Sequence, residues 1–432
     1  MRFAIIERLS KARAASPLEL YLLAAILFAL PTSEAFKNIV LLGFLGTYLV
    51  QSVRLRLFGA RNPFEIWIWL MLAAMWASML TSDLRFDLNL AALGERWTLM
   101  ALSVIFAGRL AWSQDQIRFL LCAFFIGAAI GTAEAFWVWQ DTGAVYPHLR
   151  SLRHVNSSVL YHLVTIGMAL AVLTFASSSQ LLKLSALLGL ASALVFLVPS
   201  RSTIGLLAVA IIAVIWLVFA AKATPQGKRL VAFSMVVTVL IGTSCLANAG
   251  FRSEIQQRLF SENPLSSRDA IFLTASEVFH QNPIWGSGVR TYAQAVSEDR
   301  VIAAIEARGE DWNLVESRYF FTNHGHNLVT NTMIERGIVG LILTTGLLLS
   351  YIVIFTRSLR KSDLCELFPR GLALGGMLIS VGFIAGGLGN TTMTNEHGHA
   401  GMLLIAVCAS FLRSPTKNPK GALRQQSLKY RA

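Results

Sequence analysis

Long apolar stretches, separated by short polar breaks, follow one another along almost the whole chain. Each is close to the length of about 20 residues that an α-helix needs to cross roughly 30 Å of hydrocarbon. Twelve such stretches occupy residues 17–30, 38–51, 64–81, 97–112, 116–139, 155–176, 181–199, 203–221, 229–249, 326–356, 368–388 and 393–412. The pattern predicts an all-α integral membrane protein with about twelve transmembrane helices.

One segment of ordinary polarity interrupts this pattern between the ninth and tenth predicted spans. Inside it, residues 267–281 place apolar side chains at helical spacing, before the helix-ending pair Asn282-Pro283. This predicts an amphipathic helix at the membrane interface. The chain is then divided into spans one to nine (1–250), an extramembrane subdomain (251–325), spans ten to twelve (326–412) and a basic tail (413–432).

Composition excludes a soluble globular protein, because 55% of the 432 residues are hydrophobic and only 14% are charged. The formal net charge of +13 arises mainly from lysine and arginine in the two termini and in alternate loops. By the positive-inside rule this face is cytoplasmic, so we expect both termini in the cytoplasm and segment 251–325 on the extracytoplasmic side. The sequence has no basic stripe with interleaved aromatic residues, so nucleic acid is not an expected partner.

The remaining composition signals predict neither a leader nor a metal site. Residues 18–30 follow a basic N-terminus, but the next apolar run begins almost at once, so we interpret them as an uncleaved span. The four cysteines are scattered through apolar runs, and the histidines follow no HExxH pattern. Neither a metal ion nor an organic cofactor is expected.

Two histidines stand where the polar segment returns to the membrane pattern, in Asn323-His324-Gly325-His326-Asn327. An imidazole titrates close to neutrality and can take a proton from a substrate hydroxyl without a metal. His326 is therefore a candidate general base. The alternative is a pair of interfacial histidines without chemistry, with Gly337 and Gly340 serving only close helix packing.

Several arginines fall on the predicted outer face, against the positive-inside rule. Arg201 stands in a very short turn between two apolar runs, where a cation is costly without a partner. A phosphate group is a natural partner, because guanidinium offers a fork of donors and stays charged. The other candidates are Arg150, Arg153, Arg268 and Arg290. Each could instead contact solvent or lipid headgroups, and the intramembrane Glu134 could pair with one of them.

These residues resemble motifs of the O-antigen ligase and polymerase superfamily of bacterial envelope polysaccharide assembly. The ligase pattern of His-Asn, nine residues and Gly-x-x-Gly is met by His326-Asn327, residues 328–336 and Gly337-Ile338-Val339-Gly340. Arg268, the amphipathic helix and residues 282–288 resemble the family's arginine, helix and Pro-x-x-Gly-x-Gly element. Ser200-Arg201-Ser202 resembles its arginine turn. The topology resemblance covers nearly the whole chain, and the motifs cover residues 200–203 and 268–340.

The resemblance implies a glycosyltransferase of the GT-C membrane fold. Such an enzyme moves a glycan from undecaprenyl pyrophosphate to lipid A-core at the periplasmic face of the bacterial inner membrane, without a metal and with inversion. His326 would be the base, and Arg201 and Arg290 would hold the pyrophosphate. The residues expected to contact substrate are Arg150, Arg153, Arg268, His324 and Asn327. Gly337 and Gly340 would be structural, and His324 could share or replace the role of His326.

Three other functions remain open at the level of sequence. A polymerase of the same superfamily would join two undecaprenyl-linked glycans, but it usually has a second large outer loop. A protein O-glycosyl ligase is a more distant relative. A lipid or glycan transporter, from a different class, would show internal repeats and charges at mid-membrane, whereas the polar residues here cluster at the outer edge.

Overall fold

The computed structural model describes residues 13–82, 84, 90, 97–175, 179–223, 268–360, 367–393 and 395–413. The predicted ninth span, the first part of the polar segment (251–267) and the basic tail after Arg413 lie outside these residues.

The described part of the chain is almost entirely helical. Its helices are α1 (Pro17–Ala29), α2 (Glu34–Leu55), α3 (Glu65–Thr81), α4 (Leu99–Arg109), α5 (Gln114–Thr142), α6 (Val155–Phe175), α7 (Gln180–Ser200), α8 (Thr203–Ala223), α9 (Arg268–Phe279), α10 (Tyr292–Ala295), α11 (Glu298–Glu306), α12 (Trp312–Val315), α13 (Leu328–Arg360), α14 (Leu367–Gly387) and α15 (Asn395–Arg413). A 3-10 turn, Glu316–Arg318, follows α12. Two residue pairs join β1 (Arg13–Ala14) and β2 (Leu110–Ala111) in parallel.

The prediction of an all-α membrane protein is confirmed. Among the described residues, seven helices are long and apolar enough to cross a membrane by length and composition, namely α2, α5, α6, α7, α8, α13 and α14. Helices α1, α3 and α4 are apolar but shorter. The predicted span 97–112 is helical as α4 over only 11 residues, about 16 Å at 1.5 Å per residue, which is less than the hydrocarbon thickness.

Local sequence explains where several of these helices begin. Ser16 and Glu19 form a capping box at the start of α1, with Pro17 in its first turn. Ser113 and Gln116 form the same reciprocal pair at the start of α5. Each box satisfies backbone N–H groups that would otherwise lack partners, and this matters most where no water can replace them.

Helices α6 and α14 form the centre of the bundle. Most of their residues are buried, and they pack directly against each other. Helix α7 packs on α6, while α8, α13 and α15 pack on α14. The peripheral helices α2, α7 and α8 leave large apolar side chains such as Val50, Val198 and Val214 exposed. Such faces suit lipid as the surrounding solvent.

Contacts between loops define the two ends of the bundle. One end is called the site end because the predicted functional residues lie there. At this end, Ser82 of the α3 C-terminal turn donates to the Ser287 carbonyl, and Ser151 Oγ donates to the Leu30 carbonyl at 2.6 Å. At the opposite end, Arg109 pairs with Glu65. The predicted functional residues lie at the site end.

The described part of the polar segment, residues 268–325, folds over the site end around a small core of its own. The predicted amphipathic helix is present as α9, and its apolar side packs on α11 and α13 of the protein. The buried residues of this core are Ala275, Val278, Tyr292, Ala295, Val296, Val301, Ile305, Val315 and Ile334. Because Ile334 belongs to α13, the segment is anchored directly to a membrane helix.

Candidate functional site

Helix α13 is broken inside the predicted Gly-x-x-Gly motif. Gly337 has φ 62° and ψ −165°, so the helix stops before it and restarts after it. A break of this kind frees backbone carbonyls on one side and N–H groups on the other, and all of them need partners in a membrane protein. The partners come from the glycine-rich loop that follows α9.

The loop 283–288 docks into the break through four backbone hydrogen bonds. Ser287 N–H donates to the Ile334 carbonyl at 2.8 Å, and Gly288 N–H donates to the Glu335 carbonyl at 3.0 Å. In the other direction, Ile338 N–H donates to the Pro283 carbonyl at 2.9 Å. Val339 N–H donates to the Ile284 carbonyl at 3.3 Å. The two motifs that sequence analysis treated separately therefore form one interlocked unit.

Glycine is required on both sides of this contact. A Cβ on Gly286 would lie 2.3 Å from the Arg336 nitrogen, and a Cβ on Gly337 would lie 2.2 Å from the Ile284 oxygen. Both residues also have positive φ, which side chains other than glycine rarely adopt. Gly340 is confined as well, since its Cβ would lie 2.2 Å from that of Arg336.

Two buried charged residues just before the break were not singled out from the sequence. Arg336 is 4% exposed, and its guanidinium carbon lies 4.4 Å from the centre of the Trp97 ring. The Glu335 carboxylate interacts with the backbone N–H of Arg290 and with the Asn331 side chain. Glu335 thus links the broken helix to the candidate Arg290. An intramembrane carboxylate beside a motif glycine was the available signal.

The histidines of the predicted motif lie against each other. The rings of His324 and His326 are 4.0 Å apart between centroids, at an interplanar angle of 32°. A third histidine, His154, meets His324 edge-on at 6.3 Å. His154 lies about 170 residues earlier in the chain, and nothing in its local sequence marks it as part of this cluster.

Both motif histidines are biased toward the neutral form. Burial lowers the pKa of His324 to about 4, assisted by the neighbouring His326 and His154. Burial is also the largest cause of the lowered pKa of His326. The positive charge of Arg268 and the neighbouring His154 lower this pKa further. An imidazole must be neutral to accept a proton, so this environment keeps His326 competent as a base at neutral pH.

Arg268 is a predicted arginine whose charge acts directly on a motif histidine. It begins α9, its charge acts on His326, and its Nη2 donates to the Gly389 carbonyl at 3.4 Å. Gly389 also packs against Ile204 in the first turn of α8. Arg268 therefore connects the histidines to the region that carries the Arg201 turn.

Arg150 and Arg153 lie on the loop that leads to His154, and each has a carboxylate partner. Arg150 Nη1 lies 3.0 Å from Glu134, and Arg153 Nη2 lies 3.3 Å from Glu34. Both arginine side chains are more than 70% exposed, at 73% and 78%, so the pairs are weak and an anionic ligand can compete for the guanidinium groups. The alternative that Glu134 pairs with a nearby arginine is confirmed.

Backbone conformation singles out four of the predicted residues together. Among the described residues, positive φ outside glycine occurs at Arg56, Arg153, Arg201, Arg290, His326 and Met393. Four of these six are candidate site residues, with φ values of 48° to 66°. A left-handed residue other than glycine costs about 1 to 3 kcal/mol, and such residues cluster at functional sites. Arg201 and Arg290 are also exposed.

Asn327 has a structural task in this arrangement. Its side-chain oxygen accepts the Thr330 N–H at 2.6 Å, and its carbonyl accepts the Asn331 N–H at 3.2 Å. It therefore caps the start of α13, directly after His326. In turn the Asn331 side chain accepts the N–H of Gly325 at 3.2 Å, which holds the loop between the two histidines.

The arrangement supplies a neutral base and several cations at one end of a membrane bundle. Within the described ranges, no three His, Cys, Asp or Glu side chains converge in a way that could hold a metal ion. A base and cations together suit the transfer of a chemical group to a hydroxyl from a donor that has an anionic leaving group. Fold and site thus define a multi-pass α-helical membrane protein with a polar site at the end of its bundle.

One comparison bears on the family within that class. A family model described as O-antigen ligase matches residues 184–345, and this match supports membership of the chain in that family of glycosyltransferase-like ligases and polymerases. The matched range contains the Arg201 turn, Arg268, Arg290, both motif histidines and the break in α13. The family recognised from the sequence is therefore confirmed. No curated protein shows a significant match to the chain.

Proposed function

We propose that this protein is an O-antigen ligase that transfers a glycan from undecaprenyl pyrophosphate to lipid A-core during lipopolysaccharide assembly. The observation that carries the proposal is the placement of His326, neutral and left-handed, beside Arg268 and directly before the broken helix that anchors Arg290. A base and two cations are the groups that a metal-free glycosyl transfer from a pyrophosphate requires.

In the proposed reaction, a hydroxyl of the acceptor sugar attacks the anomeric carbon of the donor. The bond between that carbon and the pyrophosphate oxygen breaks, and the electron pair leaves with undecaprenyl pyrophosphate. The hydroxyl proton passes to a ring nitrogen of His326. Direct displacement inverts the anomeric centre, and no metal takes part.

The arginines stabilise the charge that develops on the leaving group. Arg201 and Arg290 are assigned to the pyrophosphate, assisted by Arg268 and by the more exposed Arg150 and Arg153. His324 and Asn327 adjoin the base. His324 shields one ring face of His326, while Asn327 fixes the start of the helix behind it.

The proposed setting is the bacterial inner membrane. We assign twelve spans of the GT-C fold to the chain, with both termini in the cytoplasm and the site end facing the periplasm. The distribution of lysine and arginine supports this orientation. Membrane lipids surround the bundle, and the two substrates reach the site from the outer leaflet.

Transfer in a purified system tests the function. The protein in detergent is supplied with an undecaprenyl-pyrophosphate-linked glycan, lipid A-core and a chelator, and products are separated on a gel. We expect glycan on lipid A-core in the wild type and none with His326→Ala. Longer glycan still on undecaprenyl would identify a polymerase instead, and the absence of any covalent product would favour a transporter.

A further inference from the structure

His154 belongs to the histidine cluster without having a role in the proposed reaction. Its ring meets His324 edge-on, and its electrostatic influence reaches both His324 and His326. The His154 side chain remains exposed at the surface of the site. It comes from the loop between α5 and α6.

One hydrogen bond fixes which nitrogen of His154 carries the proton. The backbone N–H of Asn156 donates to His154 Nδ1 at 3.2 Å. Because Nδ1 accepts, the neutral ring carries its hydrogen on Nε2. His154 is therefore arranged as a hydrogen-bond donor through Nε2, and this distinguishes it from a residue that takes up a proton.

We propose that His154 is a substrate-binding residue whose Nε2–H donates to a pyrophosphate oxygen of the polyprenyl-linked donor. This inference rests on the proposed function. It adds a substrate-binding side chain that comes from a different part of the chain from the motif residues.

The surroundings of His154 indicate an anionic oxygen as the partner. Arg150 and Arg153 precede it on the same loop, and both guanidinium groups are mostly exposed. Arg153, directly before His154, has a left-handed backbone with φ 52°. Two exposed cations and one N–H donor, all within five residues of the chain, form a set that favours phosphate oxygens over a neutral sugar hydroxyl.

Binding of undecaprenyl pyrophosphate itself gives the direct test. The purified protein in detergent micelles is titrated with this lipid, and the steady-state KM values for glycan donor and lipid A-core are measured in parallel. With His154→Ala we expect affinity for undecaprenyl pyrophosphate to fall about tenfold, as for the loss of one hydrogen bond to a charged group. Donor KM should rise similarly, while acceptor KM should not change.

Two further variants make the outcome specific. His154→Gln keeps an N–H donor near the position of Nε2 but cannot titrate, so it should restore most of the affinity. His280→Ala removes another exposed histidine of the polar segment, which contacts Phe279 and lies outside the cluster, and it should behave as wild type. Unchanged lipid affinity in His154→Ala, a rise in acceptor KM alone, or failure of the glutamine variant to restore binding would each overturn the proposal.

The same measurements separate this inference from the proposed function. If the wild type binds undecaprenyl pyrophosphate but transfers no glycan to lipid A-core, the ligase function fails, and the effect of His154→Ala on binding still decides the role of His154. If the wild type does not bind this lipid, the inference fails as well.

Discussion

At the scale of single residues, His326 combines a strained backbone with a pKa shifted away from its usual range. Its φ of 49° is unusual for a residue with a side chain. Burial and the nearby Arg268 both disfavour the imidazolium form. The free protein therefore presents a neutral base, and binding of an anionic donor supplies the negative charge that can stabilise the protonated ring during the reaction.

The lowered pKa of His326 predicts an unusual pH profile. Since only the neutral ring acts as a base, kcat/KM should fall on acidification below the lowered pKa, at more acidic pH than the ordinary histidine value of about 6.5. Arg268→Gln removes a positive charge that lowers this pKa, so the acid limb should move to higher pH. The measurement is kcat/KM for the donor as a function of pH.

An exposed arginine elsewhere in the polar segment provides the control for this pH profile. Arg318 lies in the 3-10 turn and is exposed, and Arg318→Gln should leave the acid limb where it is. An acid limb that stays in place in Arg268→Gln would mean that the charge of Arg268 does not contribute to the lowered pKa of His326.

Arg290 allows a prediction about the donor. Removing one preorganised hydrogen-bonding group that stabilises a developing anion typically reduces turnover about 10²-fold to 10³-fold. Arg290→Ala should therefore lower kcat/KM for the glycan donor by about that factor. Arg290→Lys keeps the charge but loses the fork of donors, and it should recover only part of the activity. Arg201→Ala should act in the same direction, and unchanged donor dependence would show that Arg201 is structural. Arg318→Ala again serves as the matched control.

At the scale of elements, the interlock between the 283–288 loop and the break in α13 determines where the site forms. Four backbone hydrogen bonds replace those that the helix gives up at Gly337. Ser78 Oγ adds a further bond to the Glu335 carbonyl at 2.9 Å. The backbone groups at the break are therefore paired within the protein, as buried backbone groups must be.

This interlock predicts that Gly286→Ala and Gly337→Ala both disrupt the site. Each added Cβ would come within 2.3 Å of backbone atoms on the opposite segment, so the loop cannot dock without moving. We expect loss of transfer activity and a lower Tm of the purified protein. The measurement is thermal unfolding in detergent combined with the transfer assay.

The matched controls for these two variants are Gly143→Ala and Gly309→Ala. Both glycines have positive φ, 62° and 81°, but no atoms within 4 Å of the added Cβ. They therefore carry only the conformational cost of about 1 to 2 kcal/mol and should retain activity. If the controls lost activity to the same extent, the left-handed conformation and not the close contact would explain the loss in Gly286→Ala and Gly337→Ala.

At the scale of the whole molecule, two polar ends flank an apolar bundle. One end carries the histidine cluster, the exposed arginines and the small core of the polar segment. The opposite end carries the paired Arg109 and Glu65 and the β1–β2 contact. The exposed apolar faces between the two ends require lipid, so the site lies at a membrane surface and not at mid-membrane.

The proposed orientation can be measured with single cysteines. In a variant lacking the four native cysteines, Asp299→Cys at the site end and Arg360→Cys at the opposite end are both exposed. A membrane-impermeant maleimide applied to cells with a permeabilised outer membrane should label Asp299→Cys, and it should label Arg360→Cys only after lysis. Labelling in the reverse pattern would place the site in the cytoplasm and contradict the assignment.

The sequence by itself determined the membrane class, most of the helix positions and the family. These depend on hydrophobicity and short motifs, which are properties of contiguous residues. Apolar runs therefore located the described helices of the bundle to within a few residues, and α9 was found where its spacing placed it, whereas the short helices α10, α11 and α12 were not predicted. The motif histidines, Arg268, Arg290 and the motif glycines were named for the same reason.

Only the tertiary structure decided how these pieces meet. The loop 283–288 enters the break at Gly337 through backbone atoms, which look alike in every sequence, and His154 joins His324 from a separate loop. The pairing of Glu335 with the Arg290 backbone is equally invisible in the sequence. Contacts between residues distant along the chain depend on how the helices pack, and local hydrophobicity carries no information about that packing.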